Sequence, residues 1–121
     1  MLAGAAQSEA PLCEVRAHLD GEKALQQYRR AEVPLLGAVE NMSGFRCPHC
    51  AQPVEIFAPV PDARAIWAVG VEKLGVVPLD PAVSQAGDRG CPVLIAHAEA
   101  LQAMAFRQVA QRLVAKLQAA P

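Results

Sequence analysis

Across residues 15–30, apolar Leu19, Leu25 and Tyr28 sit among the helix-favouring Glu22, Lys23, Gln26 and Gln27, a spacing that predicts an amphipathic helix. Residues 33–39 are instead a continuous apolar run, with Pro34 near its start and Gly37 inside it. A run without alternation predicts a strand buried on both faces, as in parallel sheets covered by helices. It stops at the polar Glu40, Asn41 and Ser43. Open α/β sheets bind ligands beyond the carboxyl ends of their strands, so this patch is a candidate binding position.

Further along, residues 53–57 can return as the second arm of a short hairpin, with Trp67 packing that hairpin on the sheet. Asp62 is placed to cap a helix over 63–69 that Gly70 ends. A second short apolar run, 74–77, meets Pro78 and Pro81, and Asp80 is placed to cap a helix beginning at Pro81. From 99 to 117, Leu101, Ala105, Val109, Leu113 and Leu117 recur every four residues, which predicts a long helix with one face on the sheet and Met104 and Phe106 in the core. His18 and His97 read as surface residues. Helices alternating with few strands predict an α/β fold with a thin sheet. Residues 1–14 are Ala-rich without a period and read as an irregular segment ahead of a single unit, 15–121.

A chain of 121 residues, 53% hydrophobic, can bury one modest core. Its net charge of -1 offers no basic field, so nucleic acid is not an expected partner. No stretch is apolar for long enough to span a membrane, and the first residues have neither a positive n-region nor a long apolar h-region. The expected setting is cytoplasmic, with a mitochondrial one left open. In such a reducing compartment the four cysteines point to metal or redox chemistry rather than to disulfide staples.

The chemistry concentrates in GFRCPHCAQPVEIF, residues 44–57, where Cys47 and Cys50 flank Pro48 and His49. A turn between two cysteines at this spacing aims both sulfurs one way, so they can grip one metal. Zinc needs four ligands and an iron-sulfur cluster usually needs four cysteines. The missing pair has to come from Cys13 and Cys91, from His49, or from another copy of the chain. A symmetric dimer supplies four sulfurs with no further assumption. A redox pair would open a helix, but Gln52 and Pro53 follow here and no helical period begins. A structural zinc knuckle is the plainer alternative.

VPLLGAVENMSGFRCPHC, then EIF, GVEKLGVVPLDPAVSQAGDRGCPV and AFRQVAQRL, resembles the C-terminal third of the Mrp/ApbC group of P-loop ATPases, the iron-sulfur cluster carriers. The likeness runs in register from about residue 15 to 117, and LDGEKALQQYRR is similar to the family's preceding helix. It implies the last part of a P-loop NTPase-type parallel sheet flanked by helices. It also implies that Cys47 and Cys50 bind a labile 4Fe-4S cluster, two cysteines from each subunit of a homodimer, for transfer to apo iron-sulfur proteins. Asn41 stands where the wider superfamily places an adenine-contacting Asn, and Pro78, Leu79 and Asp80 match the loop flanking the base.

The departures set limits. No G-K-G-G-V-G-K-S/T loop and no Asp-Met-Pro-Pro switch occurs in the chain. Without a phosphate cradle, its Lys and a Mg-holding hydroxyl, nothing positions a γ-phosphate, so ATP hydrolysis by this chain alone is not expected. ATP enters only through the family resemblance, and a separate P-loop-bearing chain is a conceivable partner. The family's glycine-rich stretch after I-F is replaced by APVPDARAIW, and MLAGAAQSEAPLCE does not match the family's strand and T-T-P-Q turn. Beside these roles stand plainer ones: Asn41 as a turn former, Asp80 as a helix cap and Cys91 as a small half-buried apolar residue.

Overall fold

The structure, a computed structural model, describes residues 10–119, with side-chain surroundings from residue 17 onward. Residues 1–9 of the segment read as irregular, and the side chain of Cys13, lie outside the described residues. Helix α1 spans Ala10–Arg30. It thus begins five residues before the expected start, because Ala10, Leu12 and Glu14 are good helix formers even without a period. Its inward stripe is His18 and Leu25, 9% and 6% exposed, whereas Leu19 and Tyr28 lie half in solvent. Arg29 and Arg30 close its last turn, where cations favour the helix dipole, and Arg29 Nη2 donates to the Val69 carbonyl at 2.9 Å.

Strand β1 covers Ala38–Arg46, β2 Pro53–Val54 and β3 Lys73–Leu79. They form one mixed sheet in the order β2-β1-β3, with β1 parallel to β3 and antiparallel to β2. The fold is therefore α/β with a thin sheet, as the sequence predicts. The strand expected at 33–39 is displaced: residues 33–37 approach the sheet without joining it, and the ladder starts at Ala38. Gly37 explains the offset, since its φ is +150° and a Cβ there would lie 2.5 Å from Leu74 Cγ.

Two 3-10 turns, Asp62–Arg64 and Ile66–Val69, replace the single helix expected at 63–69, and the Asp62 side chain caps neither. Gly70 does end the second, in the left-handed conformation. Ile66 and Val71 pack with Leu25 of α1, and Leu35, Ala38, Trp67 and Val69 close around them.

Helix α2, Pro81–Asp88, begins as predicted, with Asp80 Oδ1 accepting from the Ala82 N–H at 2.8 Å. A short helix α3, Val93–Ala96, precedes α4, Leu101–Ala119. Helix α4 crosses β3 at Gly75, where a Cβ would lie 2.5 Å from Val109 Cγ2. Arg112 Nη1 donates to the Leu74 carbonyl at 2.7 Å, and Lys116 pairs with Glu72. Of the expected row in α4 only Val109 is buried, and Leu101, Met104 and Leu117 are exposed. Steps of four residues turn about 40° each, so a row of five winds roughly 160° around a straight helix and cannot stay on one face. Phe106 is half-buried. Among the described residues no helix is long and apolar enough to cross a membrane.

Candidate metal centre and nucleotide edge

Strand β1 ends by pairing Phe45 with Val54 and Arg46 with Pro53, and the chain between them makes the hairpin tip. The Cys47 N–H donates to the Gln52 carbonyl at 3.0 Å, and the Ala51 N–H donates to the Cys47 carbonyl at 2.8 Å. Pro48, with its fixed φ, opens the turn, and Ala51 closes it with φ +56°. The turn folds the backbone of His49 and Cys50 back toward Cys47. Their N–H groups, Cys50 first and then His49, together with the Cys50 thiol, hold the Cys47 thiol below its ordinary pKa. Cys47 is half-buried and Cys50 exposed, and both are reduced.

Among the described residues no third His, Cys, Asp or Glu joins this pair into a metal-holding group. His49 is exposed at the tip, and Cys91 is a free, half-buried thiol after α2, its N–H bonded to the Ala86 carbonyl. Neither supplies the missing ligands within the chain. Trp67, expected to pack the hairpin on the sheet, instead packs against the Leu25, Ile66 and Val71 cluster and lines the cleft beside the hairpin, with Lys73 Nζ 4.4 Å from its ring centroid.

Asn41, within β1, is paired with Val77, the residue before Pro78; Leu79 is paired with Phe45. Of the expected base-binding edge, Asn41 thus lies across the ladder from the residue before Pro78, and Leu79 and Asp80 follow along the chain. Asn41 is exposed, and its Oδ1 accepts from the Met42 N–H at 2.9 Å, while the Asp80 carboxylate is engaged as a helix cap. The polar patch expected beyond the strand lies inside β1, whose pairing with β3 is irregular between Asn41 and Phe45. Met42, with φ +56°, and Gly44, with φ +75°, take up the extra length.

His18, expected at the surface, is buried, and its Nδ1 accepts from the Ile66 N–H at 2.9 Å. Burial lowers its pKa, with nearby Glu40 opposing and Lys73 reinforcing the shift. Burial raises the Glu40 pKa, but hydrogen bonds from Lys73 (2.5 Å) and Ser43 (2.9 Å) outweigh it and hold the carboxyl below its usual range. The signal that locates His18 is its place seven residues before Leu25, two turns along the same face. His97, by contrast, is exposed as expected.

The sequence matches the NUBPL iron-transfer P-loop NTPase family over residues 13–114. It is 35% identical over 100 residues to an iron-sulfur cluster carrier protein of Methanocaldococcus jannaschii, covering 83% of this chain and 34% of the relative. It is 35% identical over 99 residues to the Helicobacter pylori protein of the same description, covering 82% of this chain and 27% of the relative. It is also 32% identical over 105 residues to the mouse iron-sulfur cluster transfer protein NUBPL, covering 87% of this chain and 33% of the relative. The chain thus spans about a third of the length of these relatives. With a parallel β1–β3 pair, helices on its flanks and a match along most of its length, the chain belongs to the NUBPL iron-transfer P-loop NTPase family.

Proposed function

We propose that this chain carries an iron-sulfur cluster as cargo, held by Cys47 and Cys50 together with the same pair from a second copy, and passes it to apo-proteins. The observation that carries this reading is the hairpin tip, which offers two cysteines and, among the described residues, no third ligand. Four thiolates suit a 4Fe-4S cluster, and two such tips provide four. A metal-bound thiol must first lose its proton, and the lowered pKa of Cys47 eases that loss. The exposed Cys50 leaves the cargo open to attack by a client's thiolates, so that transfer can proceed by replacing one sulfur ligand with another. The named activity of the carrier and transfer relatives supports this assignment.

Asn41, Pro78, Leu79 and Asp80 are proposed as an adenine edge, half of a nucleotide site whose phosphate half lies elsewhere. Strand β1 is paired with β2 only from Phe45 onward, so its earlier residues leave an edge where a P-loop-bearing partner could add a strand. Anaerobic reconstitution with iron and sulfide tests the cargo. The expected product has broad visible absorbance from sulfur-to-iron charge transfer, with iron and sulfide in equal amounts. Retention of zinc alone, without sulfide, contradicts the reading and makes the hairpin a structural knuckle.

A further inference from the structure

We propose that the cleft between α1, the two 3-10 turns and the hairpin docks an extended peptide segment of a client protein, one that sets an apolar side chain beside lysine or arginine. The cleft encloses about 610 Å³, within the usual range for ligand pockets. It is distinct from the cysteine pair, neither member of which lines it, and it shares Leu79 alone with the proposed adenine edge, since Asn41, Pro78 and Asp80 do not line it. Phe45, Pro53 and Val54, on the two arms of the same hairpin, do line it, so an occupant lies next to the tip.

The floor sets what it can hold. His18 Nδ1 accepts from Ile66, so the neutral ring carries its proton on Nε2, and among the described residues nothing accepts from that N–H. His18 lines the cleft and is nine-tenths buried, which leaves the donor to a guest. Beside it Glu40 and Lys73 neutralise one another. A floor with no net charge and a spare N–H suits a neutral acceptor, such as a peptide carbonyl. Part of the wall is apolar, formed by Met42, Val60, Leu79 and Trp67, and suits an aliphatic side chain. At the rim, Glu55 and Asp62 are exposed and have no salt-bridge partner among the described residues. Three carboxylates thus face one ammonium around the cleft, which attracts a basic flank and repels phosphates and free carboxylates.

That the peptide belongs to a client rests on the carrier reading, whereas the cleft's preference does not. Trp67, the single tryptophan of the chain, forms part of the wall and reports occupancy by its fluorescence. The probes are a short end-capped peptide joining valine and leucine to two lysines, a twin with glutamate for lysine, and a twin with serine for the apolar pair. The lysine peptide is expected to shift Trp67 emission saturably, with the glutamate twin about tenfold weaker and the serine twin inert. Substituting Glu55→Gln and Asp62→Asn together should narrow the lysine-over-glutamate preference about fivefold, the scale of two exposed charge pairs, with the circular dichroism unchanged. Cys47→Ser should bind the lysine peptide like wild type, so loss of iron loading with retained peptide binding separates the two readings. An unresponsive Trp67, equal binding of the glutamate twin, or an unchanged preference in the double variant overturns the proposal.

Discussion

Cys47 and Cys50 differ in what surrounds them, and that difference shapes the chemistry of the pair. The tip aims backbone N–H groups at Cys47, which holds its thiol below the ordinary pKa, while Cys50 stays open to solvent. Either change, Cys47→Ser or Cys50→Ser, is expected to abolish iron retention after reconstitution, because each removes two of four ligands from a shared cluster. Cys13→Ser and Cys91→Ser are expected to retain it nearly in full. Iron content per chain checks this, and a Cys91 variant as empty as the Cys47 variant contradicts the shared site. His18 gives a second prediction. Its folded pKa lies below the ordinary histidine value of 6.5, so the unfolded chain binds the proton more readily. Its contribution is therefore complete above about pH 6.5 and is lost as the pH falls toward the folded value, when protonation of Nδ1 also removes the acceptor for Ile66. Glu40, with its own pKa held low, loses its contribution only further down, in the carboxylate range. Urea midpoints measured across this interval should fall with pH in wild type and flatten in His18→Gln.

At the scale of elements, the packing of α4 on β3 depends on a missing side chain. Gly75 lets Val109 reach the strand, and Arg112 and Lys116 then fasten the helix along it. Gly75→Val is expected to destabilise the chain by about 1–3 kcal/mol through overpacking, read as a lower urea midpoint with an unchanged slope. The elements also show what the sequence could reveal. Asp80 before Pro81, and Gly70 after an apolar stretch, are local signals, and both predicted their ends correctly. The hairpin was legible for the same reason, since its register follows from the short loop between its arms, although its second arm is only Pro53–Val54 and not the expected 53–57. The start of β1 was not, because Gly37 takes a φ of +150° where its backbone passes close to Leu74, an approach between residues far apart in sequence. The buried state of His18 escaped for a similar reason, as its partner Ile66 lies 48 residues away. The row of fours in α4 misled because apolar side chains on the helix exceed what one thin sheet can cover. Of the candidate site, the pairing of Asn41 with Val77 sets Asn41 across from the residue before Pro78, a long-range register the sequence did not reveal, while the capping role of Asp80 was visible in the sequence beforehand.

The molecule as a whole is a family member that spans about a third of its relatives' length, and its two proposed sites are both halves. The adenine edge lacks a phosphate cradle, so ATP should bind the isolated chain at millimolar Kd or weaker, about -4 kcal/mol at most. Calorimetric titration checks this, and micromolar binding would require a cradle that the sequence does not contain. If the proposed cluster site is completed by a second copy, metal and dimer are linked: cluster binding strengthens association by the same free energy that association lends to the cluster. The exposed apolar residues and the open edge of β1 offer a competing route to association that needs no metal. Sedimentation velocity of wild type and Cys47→Ser, each before and after anaerobic loading with iron and sulfide, distinguishes the two. The shared-cluster account predicts that only loaded wild type is a dimer, with about two irons per chain, and that a chelator returns it to monomer. A monomer holding a complete cluster, or a dimer of equal strength in the unloaded Cys47→Ser variant, contradicts it.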